Sequence, residues 1–113
     1  MTSNALKSID EIKAGKLYKQ VYQLSLNIFN EKIYSEISKI VTTIKPNKPF
    51  LILEKQVIFE SYIVGRDIKK RKKVRIKVLT DQGSVGYMTL DPYFVLRSIQ
   101  HYNSSSLLQP NAE

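Results

Sequence analysis

The chain has no cysteine and no tryptophan, and it has a single histidine among its 113 residues. Without cysteine there can be no disulfide, no thiol nucleophile and no cysteine-ligated zinc. No apolar run approaches the roughly 20 residues that span a bilayer, and the first four residues do not form a signal-peptide core. These absences predict a cytoplasmic protein with no membrane partner.

Groups that could carry out chemistry are equally scarce. His101 has no serine and aspartate in a triad pattern around it, so we expect a surface residue rather than a base. Asp81 and Asp91 stand alone and fit turn and helix-cap positions better than a catalytic carboxylate pair. The segment 83–86 lacks the length and the ending of a P-loop. We therefore expect no enzyme activity, no catalytic residue, no metal or other cofactor, and no small-molecule substrate.

The residues that are present favour a β-sheet. Hydrophobic residues make up 42% of the chain, and isoleucine, leucine, valine and tyrosine predominate among them, as is typical of strands. The length fits one domain. We predict a polar N-terminal segment over 1–14, one β domain over 15–102 and a flexible tail over 103–113.

Apolar and polar residues alternate in several short stretches, which is the pattern of half-buried strands. The predicted strands are 22–28, 40–44, 50–54, 57–64, 74–78 and 85–88. Residues 45–49 and 80–83 have the composition of tight turns. Asp91 followed by Pro92 predicts the cap and first position of a short helix or 3-10 turn. Ser8, with Glu11 three positions later, predicts a helical turn near the N-terminus.

Two segments resemble the SH3-like small β-barrel superfamily, including its bacterial and phage relatives. Ile44–Glu54 is similar to its step from a polar, proline-bearing turn into an apolar strand. Val78–Met88 resembles the hairpin in which an acidic-x-Gly turn leads into a Gly-aromatic-aliphatic strand. The resemblance implies a mainly β fold, a small antiparallel barrel with one short helix or 3-10 turn, in which a turn at 91–95 precedes a closing strand at 96–100. The chain lacks the tryptophan and the acidic loop of the members that bind proline-rich peptides, so that activity is not expected.

Positive charge is concentrated in one window. Between residues 66 and 77 there are eight cations and one carboxylate, Asp67, whereas the rest of the chain has ten cations and nine carboxylates. The cations are Arg66, Lys69, Lys70, Arg71, Lys72, Lys73, Arg75 and Lys77. The window predicts a basic loop that runs into the strand at 74–78, with apolar residues on one face and cations on the other. Such a local excess of charge is typical of an anion-binding surface.

Three interpretations of this window remain open. The cations could be solvated side chains that keep an edge strand from pairing. They could bind the phosphates of a nucleic acid, with Tyr62 available for base stacking. They could also bind an acidic protein surface.

We predict a non-enzymatic binding module whose basic hairpin docks nucleic-acid backbone without strong sequence preference. The alternative is a structural subunit or adaptor of a large assembly, such as a phage particle, that docks an acidic protein partner. The protein would then reside in the virion rather than the cytoplasm.

Overall fold

The computed structural model describes residues 5–31 and 38–102. These residues form a mainly β structure, a single sheet of seven antiparallel strands curled into a half-barrel with one short helix and a 3-10 turn. The predicted fold class is confirmed at this level. The elements are a 3-10 helix (Ile9–Glu11), β1 (Leu17–Gln20), β2 (Leu26–Phe29), β3 (Ile40–Ile44), β4 (Pro49–Val64), β5 (Asp67–Thr80), β6 (Val85–Leu90), α1 (Pro92–Ser98) and β7 (Ile99–His101). The tail predicted over 103–113 lies outside the described residues.

The strand order across the sheet is β3-β2-β6-β5-β4-β1-β7. Neighbouring strands pair antiparallel. The central strand is β5, which lies between β6 and β4. Within the described residues, no helix is long and apolar enough to cross a membrane.

The core lies on the concave side of the curled sheet, where alternate residues of the strands point inward. Val74, Ile76 and Val78 of β5 are buried, as the alternation predicted, while the residues between them are only half-buried. Buried residues from the other strands and from α1 join this cluster. These are Tyr18, Ile28, Ile44, Phe50, Ile52, Met88, Val95 and Ile99.

The N-terminal segment belongs to the packed body. Leu6, Ile9 and Ile12 are buried in the core cluster, although this stretch is polar by composition. The 3-10 helix has the predicted capping box between Ser8 and Glu11. The buried Tyr18 hydroxyl donates to the Glu11 carbonyl at 2.6 Å and accepts from a backbone N–H at 2.9 Å. Residues 5–12 therefore cover one side of the half-barrel, so the packed structure begins well before residue 15.

A long hairpin of β4 and β5 dominates the shape of the molecule. The two strands pair from Phe50 opposite Thr80 to Val64 opposite Asp67, with one register shift, and only Gly65 and Arg66 connect them. Gly65 has a φ of 62°, which a two-residue hairpin turn requires at its first position and which glycine adopts without steric cost. The prediction of a basic loop is therefore wrong. The cations lie on a strand, because the turn needs only two residues and the basic stretch pairs across the hairpin with β-favouring residues.

β4 contains one irregularity. Its pairing with β5 shifts between Ile52 and Glu54, whose partners Val78 and Lys77 are consecutive, so Leu53 is an extra residue. Because side chains alternate faces, an extra residue reverses which positions point inward. Even-numbered positions of β4 face the core before the bulge, and odd-numbered positions share that face beyond it.

The strand predicted over 22–28 begins later than the alternation suggested. β2 starts at Leu26, and Tyr22 and Leu24 are exposed in the connection that precedes it. The buried Gln20 amide donates to the carbonyl of Leu24 at 3.1 Å and to that of Ile44 at 3.0 Å. These bonds hold the connection against the end of β3, so it cannot extend the sheet.

The predicted turns and cap occur where expected. Asn47 and Gly83 have φ of 66° and 85°, which their turns require. The Asp91 carboxylate accepts from the Tyr93 N–H at 2.7 Å and caps α1. The helix continues to Ser98, so the closing strand covers 99–101 rather than 96–100.

We predict that Gly86→Ala destabilises the protein. A Cβ at this position in β6 would collide with the side chain of Ile28 and lie 2.8 Å from the Phe29 carbonyl oxygen. Overpacking of this kind costs about 1–3 kcal/mol of unfolding free energy, measurable by urea denaturation. Val85→Thr on the same strand changes an exposed residue and should stay within about 0.5 kcal/mol of wild type. Equal stability of Gly86→Ala and wild type would contradict the close approach of β2 to β6.

A second prediction concerns acid stability. His101 Nε2 lies 3.0 Å from the Glu11 Oε1 atom, and this contact, together with backbone N–H groups of residues 7 and 8, lowers the pKa of the Glu11 carboxyl. A carboxyl whose pKa is lower in the folded than in the unfolded state stabilises the folded state. The stabilisation is complete at a pH above the pKa of the unfolded state, and it is lost as the pH falls through the pKa of the folded state. Glu11→Gln should therefore lower the thermal midpoint at pH 7 and flatten its decline below about pH 5. The exposed Glu60→Gln should reproduce the wild-type profile, and a wild-type profile for Glu11→Gln would refute the linkage.

Candidate nucleic-acid interface

The basic window forms one half of a projecting β-ribbon. Beyond the pair formed by Val57 and Val74, β4 and β5 pair with each other and, among the described residues, with no further strand. We call this part, residues 58–73, the arm. At about 3.4 Å per residue its seven cross-strand pairs extend about 24 Å from the body. The described structure accordingly measures 63 Å along its longest axis and 34 Å along the next.

The strand geometry distributes the predicted site residues between two faces. Lys69, Arg71 and Lys73 lie on one face of the arm, and Arg75 and Lys77 continue that row onto the body. We call this the cationic face. Tyr62 pairs with Lys69 and so belongs to it. Lys70 and Lys72 lie on the opposite face, and Arg66 is in the turn at the tip.

The arm cations have few acidic neighbours. Six of the eight site cations belong to the arm, which carries two carboxylates, Glu60 and Asp67. Over residues 5–31 and 38–102, the one ion pair made by a site cation is that of Lys77 with Glu54, at 3.8 Å. It lies at the base of the hairpin. The positive charge of the arm is thus left to interact with solvent and ligands.

Arg71 and Tyr62 form a stacked pair across the two strands. The guanidinium carbon lies 4.3 Å from the centroid of the tyrosine ring, within the range of a cation–π contact. One face of the Tyr62 ring is therefore covered by Arg71. A nucleobase could stack only on the ring's other face, or on the guanidinium plane itself.

The two site cations at the base are held by the body of the protein. Arg75 lies 3.4 Å from the Gln56 amide oxygen, and the Lys77 ammonium lies 5.7 Å from the centroid of the Tyr87 ring. Both side chains are half-buried. The structure therefore separates them from the six arm cations, of which all but Lys73 are exposed, although the sequence groups all eight.

This surface also has an apolar component that was not predicted from the sequence. Phe59, Ile63 and Ile68 share the face of Lys70 and Lys72, and they are 67%, 75% and 74% exposed. We call this the Phe59 face. It continues the core-facing side of the strands past the end of the core. The alternation over 57–64 places Phe59 on the same side as Val57. The sequence did not show that the body ends at Val57, so the exposure of the residues beyond it could not be predicted.

A cleft of the described structure lies away from the arm. It has a volume of about 480 Å³ and is formed by the connection after β1 and by α1. Tyr22 and Phe94 meet edge to face there at 5.2 Å, and Arg97 lies over the Tyr93 ring at 5.1 Å. No arm residue lines it. The cleft is therefore separate from the basic surface.

Comparison with known proteins yields no relative: no family model, no curated protein and no solved structure matches this chain. The resemblance to the SH3-like superfamily stays a prediction. The candidate site must therefore be judged on its own geometry and charge.

We predict that the arm opens more readily than the body. A two-stranded ribbon is marginally stable on its own, and the arm adds cation–cation repulsion without a core. Backbone amides at positions 62 and 69, which form a hydrogen-bonded pair in the arm, should exchange with solvent deuterium much faster than those at 76 and 78 in β5. Hydrogen exchange followed by NMR measures this difference. Uniform protection along β5 would show that the arm is as stable as the body.

Proposed function

We propose that this protein is a non-enzymatic binding module whose arm docks the sugar-phosphate backbone of nucleic acids. One observation carries the proposal, namely six cations on a projecting ribbon that has only two carboxylates of its own. Phosphate contacts from lysine and arginine position a protein on nucleic acid without reading its sequence. We therefore expect little sequence preference.

The physical driving force is electrostatic. Like charges gathered on one strand repel each other in the free protein, by tenths of a kcal/mol for an exposed pair. Phosphates that approach the arm remove this repulsion and release condensed counterions to the solvent, which favours binding at low salt. Exposure of the cations on both faces makes them accessible to such a ligand.

Binding should depend steeply on salt. If the six arm cations contact phosphates, the affinity for a labelled oligonucleotide should fall about a thousandfold between roughly 50 and 200 mM salt, measured by fluorescence anisotropy. Replacement of Lys69, Lys70, Arg71, Lys72 and Lys73 with serine should abolish binding at low salt. The thermal midpoint of this variant should stay near that of wild type, since these side chains do not contribute to the core.

A matched control separates the arm from net charge in general. Exposed lysines elsewhere can be replaced by serine in equal number, at positions 13, 16, 39, 45 and 48. This control loses the same formal charge but keeps the arm, so it should retain most of the affinity. Equal loss in both variants, or no binding of DNA or RNA by wild type at low salt, would refute the proposal. A large drop in the thermal midpoint of the arm variant would instead assign the cations a structural role.

A second candidate function is that of a subunit in a large assembly, such as a virion, with the arm inserted against an acidic protein surface. The two open backbone edges of the ribbon favour it, because an exposed edge can pair with a strand of a partner. Polyglutamate serves as a probe for this alternative. Tighter binding to polyglutamate than to an oligonucleotide of equal charge would favour the assembly role over the nucleic-acid role.

A further inference from the structure

The two strands of the arm differ sharply in chemistry. The β5 half, residues 67–73, contains five of the arm cations, with Arg66 adjacent in the turn. The β4 half, residues 58–64, contains no cation and has one carboxylate, Glu60. Its other residues are Ile58, Phe59, Ser61, Tyr62, Ile63 and Val64. Of the two strands of the ribbon, β5 is thus cationic and β4 is largely apolar and aromatic.

We propose that the ligand is a single-stranded nucleic acid that runs along the arm, an inference that rests on the proposed function. Its phosphates lie over β5 and its bases lie over β4, with one base stacked on Phe59. A single strand has its charge on one side and its aromatic bases on the other. Proteins that bind single strands generally combine a basic track with aromatic side chains in this way.

A duplex fits the same surface poorly. The major groove is wide enough for a two-stranded ribbon, but it is bordered by phosphates on both sides. The β5 edge would meet one phosphate row with its cations, whereas the β4 edge would place Glu60 near the other row without any cation. The asymmetry of the arm therefore favours a ligand whose charge is one-sided.

Phe59 is the best placed stacking residue. It pairs directly across the ribbon with Lys72, and Lys70 is the next cation on the same face. A phosphate held by these lysines places its base toward the β4 side, over the phenyl ring. Within the described part of the chain, the Phe59 ring has no aromatic or cation–π partner. Both the high exposure of Phe59 and this lack of a ring partner distinguish it from Tyr62.

The test uses the absence of native tryptophan. Phe59→Trp introduces the chain's only tryptophan, which can be excited selectively over the seven tyrosines and whose emission should be quenched when a base stacks on it. The probe is a single-stranded oligodeoxythymidine of about 16 nucleotides, the upper site size of a typical single-strand-binding fold. The control is Tyr93→Trp, because Tyr93 on α1 has the same 67% exposure but lies off the arm. We expect quenching of Phe59→Trp and no change for Tyr93→Trp.

Affinity measurements provide a second readout. Phe59→Ala should weaken binding of the single strand about tenfold or more, as for the loss of one stacked base. The slope of affinity against salt should stay unchanged, because no cation is lost. Tyr93→Ala should bind like wild type. Thermal midpoints of both variants should match wild type, since both side chains are exposed.

The outcomes separate this inference from the proposed function. Salt-dependent binding that the five-serine variant abolishes, but that shows no Phe59→Trp quenching and no loss in Phe59→Ala, would overturn the inference and leave the proposed function intact. A duplex of equal length that competes as well as the single strand would also overturn it. Failure of every nucleic acid to bind at low salt would overturn both proposals together.

Discussion

The antiparallel pairing of β4 with β5 is the constraint on which the rest of the structure depends. Near the body it places Val74, Ile76 and Val78 in the core, and farther out the same backbone hydrogen bonds support the arm. The buried part of the hairpin holds the exposed part, which could not persist alone because a two-stranded ribbon is marginally stable in water. The core thus stabilises a surface that it does not touch.

Much of the fold could be predicted from local physical chemistry. The alternation over 74–78 identified the core face of β5, and the Asp91–Pro92 cap fixed the start of α1. The parts of the fold that depend on contacts between residues distant in the sequence could not be predicted. Ile9 and Ile12 lie in a polar segment and become core residues only because the chain packs this segment against the buried cluster of the sheet and α1. Likewise, Tyr22 and Leu24 alternate as in a strand but lie in a connection, because the Gln20 amide donates to the Leu24 carbonyl and holds this segment away from the sheet.

The candidate site, like the fold, could be predicted from the sequence only in part. Composition alone located the cations, since eight in twelve residues are conspicuous in any fold. The predicted loop is instead a strand, in which the cations pair with residues of β4 such as Phe59, opposite Lys72, and Tyr62, opposite Lys69. Phe59 itself could not be identified from the sequence. Its exposure follows from where the body ends, and that boundary is a property of the assembled sheet.

The bulge at Leu53 keeps β4 in step with β5. Before it the even-numbered residues of β4 face the core, beyond it the odd-numbered residues share that side, and both faces of the arm follow the unbroken alternation of β5. Adding or removing cross-strand pairs two at a time near the tip would lengthen or shorten the arm without exchanging its two faces, and it would leave the core residues in place. A ribbon of this kind can vary in reach during evolution while the half-barrel that holds it stays constant.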